Sequence, residues 1–299
     1  MKDCIIIANP SSGKKEAKEF AEQAKAFLVK YNRKANIKYT TKKSDISTFA
    51  KRASDEHYHT IIVMGGDGTV TELVNGLKEQ EHKPVIGIIP TGTVNNIARS
   101  LGYSPNPEEA IEQLVEADER KIDVGRINNQ LFLSSASAGS IPETVWEVSD
   151  EQKEKYGPAA YFFSGIQSLR DEGFYKMAID LDGEKRKVDL SLLLIGVSHS
   201  IIGIPNFFDH ASYDDGKLHL FGLKKTTIGE KIAVLPSLFL NNEEFNESQD
   251  YAFTASFKKA TISVEENPAY LAVDGEKGPK FPIEIEVYPR YLSFLVPQT

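Results

Sequence analysis

Five residues, Gly65-Gly66-Asp67-Gly68-Thr69, follow the apolar run Thr60 to Met64 and lead straight into an amphipathic stretch. A glycine turn at a strand-to-helix junction is a place for phosphates. Without Cβ atoms the backbone can close around a polyphosphate, and the first turn of the next helix offers unpaired N–H groups and a positive dipole end. Asp67 is the odd residue in such a turn. A carboxylate repels phosphates unless a divalent cation lies between them, so Asp67 argues for a metal–nucleotide ligand. Taken alone, the segment also reads as an ordinary glycine turn. Two further segments repeat the design: Asn9-Pro10-Ser11-Ser12-Gly13 and Thr91-Gly92-Thr93-Val94-Asn95.

The elements that must position these turns alternate over the first 127 or so residues. Cys4 to Ala8 reads as a buried strand, and Ala17, Phe20, Ala21, Ala24, Phe27, Leu28 and Tyr31 then recur at helical spacing. A strand at Ile37 to Thr40, a helix around Ile46 to Ala53, the strand ending at Met64 and a helix carrying Val70, Leu73, Val74 and Leu77 follow. Val85 to Ile89, closed by Pro90, is one more strand. Continuous apolar strands separated by helices predict a parallel sheet covered on both faces, a doubly wound α/β domain. Ligands of such sheets sit at the carboxyl ends of the strands, where all three glycine turns fall.

After about residue 128 the pattern changes to a helical insert, roughly Pro142 to Arg170, and then to short alternating segments. These are Tyr175 to Leu181, Val188 to Val197, Lys217 to Phe221, Ala260 to Val264, Tyr270 to Val273 and Ile283 to Tyr288. They predict a mainly antiparallel β-sandwich or open barrel. Leu292 to Val296 reads as a last strand returning to the first domain. The expected division is 1–127, 128–290 and a C-terminal segment 291–299, with an active site in a cleft between the domains.

Composition narrows the function classes. At 299 residues and 40% hydrophobic the chain has material for two cores, and its net charge of −8 argues against a nucleic-acid surface. The single cysteine, Cys4, has no internal partner for a disulfide and reads as a core residue in a reducing compartment. The opening apolar segment is too short for a secretory signal, and Leu190 to Val197 falls far below the roughly 20 residues of a membrane helix. A cytoplasmic protein with at most peripheral membrane contact is expected. Trp146, Tyr156, Tyr161, Phe162 and Phe163 read as core packing of the insert. His199, His210 and His219 show no metal-ligand spacing.

Two familiar phosphate motifs fail. A Walker A loop ending at Gly13-Lys14 would need glycine at Ala8 and Ser or Thr at Lys15, and a G-x-G-x-x-G fingerprint from Gly66 meets Thr71 at its last position. What stands instead is a set of seven segments. The three glycine turns are joined by Glu72 with Asn75-Gly76, by Ile122-Asp123-Val124-Gly125, by Asp214-Asp215-Gly216-Lys217-Leu218 and by Val273-Asp274-Gly275-Glu276. This set, in this order over nearly the whole chain, resembles the soluble lipid kinases with a diacylglycerol kinase catalytic domain, a family related to the sphingosine kinases.

The resemblance implies a nucleotide domain of the phosphofructokinase and NAD-kinase type and a β-sandwich that carries the lipid side. It puts Asn9, Pro10, Ser11, Ser12, Gly13 and Thr40 at the nucleotide, with Gly65, Gly66, Asp67, Gly68, Thr69, Glu72, Thr93 and Asn95 around the phosphates of ATP. It implies a structural Mg²⁺ held by the Asp215 carboxylate and the carbonyls of Ser212 and Lys217, and a catalytic Mg²⁺ organised by Asp67 and Asp123. Glu276 would be the general base that deprotonates a lipid hydroxyl. The substrate would be a lipid alcohol resembling diacylglycerol, met at a membrane surface, and a homodimer is compatible with this reading. Asn96 departs from the pattern: many members carry Asp there, so a negative charge is missing. NAD kinase, which shares Gly-Gly-Asp-Gly-Thr, and a nucleotide-binding protein of reduced turnover remain the alternatives.

Overall fold

A computed structural model describes residues 3–10, 17–139, 174–201, 207–208, 210–225, 252–265 and 270–298. The expected insert, with its five aromatic residues, lies outside the described residues, as do Ser11, Ser12 and Gly13. The chain divides into two compact units. One comprises Met1–Val124, Gln130–Leu133 and Tyr288–Thr299, the other Gly125–Asn129 and Ser134–Val287.

The first unit is built on four parallel strands, β1 (Asp3–Ala8), β2 (Lys34–Tyr39), β3 (Thr60–Gly65) and β4 (Val85–Pro90), in the order β2-β1-β3-β4. Every residue of β3 and β4 is buried. Such wholly buried strands require cover on both faces, and the helices supply it. Helices α1 (Ala17–Lys30) and α5 (Pro107–Glu116) pack together on one side, and α2 (Ser44–Asp55) and α3 (Asp67–Leu77) on the other. The alternation predicted from the sequence is the alternation found. Helix α5 falls outside it, although Asn106-Pro107 is a helix-start signal: the Asn106 side chain accepts the Glu108 N–H at 3.0 Å.

The last strand expected of this unit is the second half of a longer one. Strand β15 (Ile283–Val296) follows ten further strands among the described residues, of which β5 (Asp118–Ile127) and β6 (Gln130–Phe132) come first. Its end runs parallel to β4, with Phe294 opposite Ile86. Tyr103, 3% exposed, fastens it: its hydroxyl accepts the Ile88 N–H at 3.3 Å and donates to the Leu295 carbonyl. Burial pushes that phenol well above its ordinary range.

The second unit is antiparallel at every pairing among its described strands, as its alternating sequence predicts. It contains β7 (Ser135–Gly139), β8 (Tyr175–Leu181), β9 (Glu184–Gly196), β10 (Leu218–Lys224), β11 (Ala252–Phe257), β12 (Lys259–Val264), β13 (Tyr270–Val273) and β14 (Glu276–Lys280). Strand β9 is the spine, pairing with β8, β7 and β10 along its length. Two of the hairpins turn on Asp-Gly pairs with both φ angles positive, Asp182 (51°) with Gly183 (96°) and Asp274 (47°) with Gly275 (81°). That is the two-residue turn whose twist matches the strands.

Candidate functional site

In the strand order β2-β1-β3-β4 the direction of winding reverses between β1 and β3, and ligands of open α/β sheets bind at the carboxyl ends beside such a reversal. Asn9 and Pro10 follow β1, Thr40 follows β2, Gly66 to Thr69 follow β3, and Thr91 to Asn95 follow β4. Because the strands are parallel, all four segments share one edge. Backbone bonds tie them: Asn9 N–H to the Met64 carbonyl at 3.4 Å, Thr40 N–H to Ala8 at 3.0 Å and Thr91 N–H to Gly65 at 3.1 Å. Ser11 to Gly13 are outside the described residues; the other expected nucleotide residues gather in this one unit.

The turns after β3 and β4 are interlocked. A Cβ on Gly92 would stand 2.6 Å from the Gly66 Cα and 2.7 Å from the Asn95 Oδ1. Here glycine is required by the contact of one loop with the other. Asn95, 4% exposed and left-handed at φ 55°, closes its own loop from both ends: its Oδ1 accepts the Gly92 N–H at 3.0 Å and its Nδ2 donates to the Gly92 carbonyl at 2.8 Å. Asn tolerates the left-handed region better than most residues. We expect Gly92→Ala to lower thermal stability by about 1–3 kcal/mol, the usual range for overpacking, as read by urea unfolding; wild-type stability would mean that the loops part easily.

Asp67 binds the two turns into one body. Its Oδ2 accepts the Asn96 N–H and its Oδ1 the Ile97 N–H, each at 2.9 Å. These are orphan donors at the start of α4 (Asn96–Ser100), so the carboxylate caps a helix that its own helix, α3, adjoins. Sequence reasoning assigned Asp67 to a cation and missed this duty, since nothing in the spacing says which backbone a side chain 29 residues away will meet. Asn96 keeps its N–H on Asp67, while its own Oδ1 is buried without a hydrogen-bond partner among the described residues.

Other predicted residues have structural engagements. Asn75, beside Glu72 on α3, accepts the Leu131 N–H at 2.9 Å and donates to the Leu131 carbonyl at 3.0 Å, which fixes β6 against the helix. Asp123 is fully buried and accepts the N–H of Arg290, a left-handed residue of β15, at 2.7 Å. Thr93 is exposed and Glu72 half-buried.

In the second unit Asp274 is 8% exposed and its Oδ1 accepts the N–H groups of Ser134 (2.8 Å) and Ser135 (3.0 Å). It anchors the hairpin whose next strand begins with the exposed Glu276. Asp215 sits in a loop folded around its carboxylate. Oδ1 accepts the Lys217 N–H at 2.9 Å, and Oδ2 meets the Ser212 N–H at 3.2 Å and the His219 Nε2 at 2.9 Å. The donor chemistry suits a hard cation: an ionised carboxylate with one lone-pair direction of Oδ1 left over. No three acidic, histidine or cysteine side chains converge on a cation position among the described residues, so most of a cation's ligands there would be carbonyls and water.

A doubly wound parallel sheet, with interlocked glycine turns at its switch point and an antiparallel β unit following, defines a two-unit α/β protein whose ligand-binding edge carries glycine turns. The sequence model described as "Diacylglycerol kinase catalytic domain" matches residues 3–127. The diacylglycerol kinase of Staphylococcus carnosus (strain TM300) is 31% identical over 98% of this chain and 94% of its own. That of Bacillus subtilis (strain 168) is 30% identical over 100% and 97%. A crystal structure of a diacylglycerol kinase from Bacillus anthracis str. Sterne superposes with a TM-score of 0.79 at 26% identity, covering 99% of this chain and 96% of the other. The chain belongs to the diacylglycerol kinase family. No helix among the described residues is long and apolar enough to cross a membrane.

Proposed function

We propose that the protein is an ATP-dependent lipid kinase that transfers the γ-phosphate to the hydroxyl of a diacylglycerol-like lipid. One observation carries the reading: the likeness to diacylglycerol kinases runs through both units at 31% identity rather than through the glycine turns alone. An NAD kinase would share the turns without that full-length likeness.

The interlocked loops hold the nucleotide phosphates with backbone N–H groups, assisted by Asn9, Pro10, Ser11, Ser12, Gly13 and Thr40. Mg²⁺ enters with ATP as part of the substrate. Asp67 would help hold the cation through lone pairs that Asn96 and Ile97 leave unused, and Asp123 would add negative charge from the same unit. Glu276 takes the proton of the lipid hydroxyl as its oxygen attacks the γ-phosphorus; the larger share of the acceleration comes from positioning and charge neutralisation. Asp215, with the carbonyls of Ser212 and Lys217, would hold a second divalent cation, which would tie its loop together. Membrane contact is peripheral, and a homodimer is compatible with it.

Incubation with Mg²⁺ and γ-labelled ATP against diacylglycerol, other lipid alcohols and NAD tests the reading. Label in a lipid product is the expected result. Label in NADP would replace it with NAD kinase activity, and nucleotide binding without product with a protein of reduced turnover. Asn96→Asp is expected to leave folding unchanged and to raise or preserve lipid phosphorylation; a large loss of turnover would give Asn96 a role of its own.

A further inference from the structure

The histidine that meets Asp215 is held as firmly as the carboxylate itself. His219 lies on β10 opposite Gly196 of β9, and its side chain is only 12% exposed. A Cβ on Gly196 would stand 2.9 Å from Cε2 of Phe208. Glycine there lets the Phe208 ring lie 5.5 Å from the imidazole, and Phe207 packs edge-on against both Phe208 and Phe221. Among the described residues the imidazole has the Phe208 ring beside it and one polar contact, its Nε2 at 2.9 Å from the Asp215 Oδ2. Facing an ionised carboxylate, Nε2 must carry the proton and donate.

The bookkeeping of lone pairs on Asp215 then becomes asymmetric. Among the described residues Oδ2 accepts both the Ser212 N–H and the His219 N–H, whereas Oδ1 accepts only the Lys217 N–H. A cation can reach this carboxylate through one oxygen. We propose that His219 is a specificity-determining residue of the Asp215 cation site: by occupying Oδ2 it makes the carboxylate monodentate and so favours Mg²⁺ over Ca²⁺. Mg²⁺ takes single oxygens in a tight octahedron and keeps its waters, while Ca²⁺ gains from bidentate carboxylates and a higher ligand number. The inference rests on the reading of Asp215 as a cation ligand. A partner that fixes a ligand's orientation is worth about 10- to 100-fold in metal affinity.

The test uses the full chain without nucleotide, titrated with Mg²⁺ or Ca²⁺ and followed by calorimetry and by the shift in melting temperature. His219→Phe keeps a ring against Phe208 and removes the donor; His219→Gln restores an N–H of similar reach. We expect the wild type and His219→Gln to prefer Mg²⁺, and His219→Phe to move the Mg²⁺-to-Ca²⁺ affinity ratio about tenfold toward Ca²⁺. An unchanged ratio in His219→Phe overturns the proposal, and if that variant fails to fold, a wild-type protein without Mg²⁺ preference does so. Asp215→Asn separates the two levels. If it binds both ions as the wild type does, the cation reading itself is wrong; if it loses both while His219→Phe keeps the wild-type ratio, only the role of His219 is wrong.

Discussion

Replacing Glu276 by glutamine is expected to lower lipid phosphorylation about 10²- to 10⁴-fold, the range over which a positioned base contributes. The side chain is exposed at the first position of β14, directly after an Asp-Gly turn that Asp274 anchors through Ser134 and Ser135. Glutamine keeps the size and the turn, and a surface change of this kind usually moves stability by no more than about 0.5 kcal/mol. The loss should therefore appear in kcat, with the melting temperature and ATP affinity unchanged. Glu276→Gln with wild-type turnover would remove Glu276 as the base.

Asp67→Ala has the second large expected effect, and it strikes stability and turnover together. The substitution leaves the Asn96 and Ile97 N–H groups without the acceptor they have at 2.9 Å. Each orphaned buried donor costs about 1–3 kcal/mol, with the lower end apt here because Asp67 is only half-buried. Since the same carboxylate joins the turn after β3 to the turn after β4, the phosphate site should lose its shape, with ATP binding weakened and turnover reduced below the level that stability alone explains. Asp67→Asn separates shape from charge: it retains one acceptor and should recover part of the stability without the turnover. Chemical unfolding and single-turnover phosphorylation read the two effects. A fully stable, fully active Asp67→Ala would refute both the cap and the cation role.

The α/β half of the fold was legible because burial on both faces leaves its mark residue by residue. Strands β3 and β4 are buried at every position and apolar at all but Thr60, and α1 and α2 keep Ala21, Ala24 and Leu28, or Ile46, Ala50 and Ala53, on one side. The antiparallel half was legible in part: β8 and β13 fall at the expected residues, whereas β11 and β14 were not read as strands. Short strands such as β6 and β7 escaped notice, since three to five residues carry too little alternation to stand out. The single strand β15 was read as two because Pro289 and Arg290 interrupt the apolar pattern midway.

What the sequence determined by itself was which chemistry belongs where along the chain. Glycine turns after apolar strands mark the place where backbone can approach a ligand closely, because only glycine leaves that room, and seven ordered segments announce a family. What only the tertiary structure decided was the partner of each polar side chain. Asp67 to α4, Asn95 to Gly92, Asp274 to β7 and His219 to Asp215 depend on which backbone or side chain comes within about 3 Å, the reach of a hydrogen bond. Residues distant in sequence meet by the register and crossing of whole elements, and that information is written in the packing of the core rather than in any local spacing.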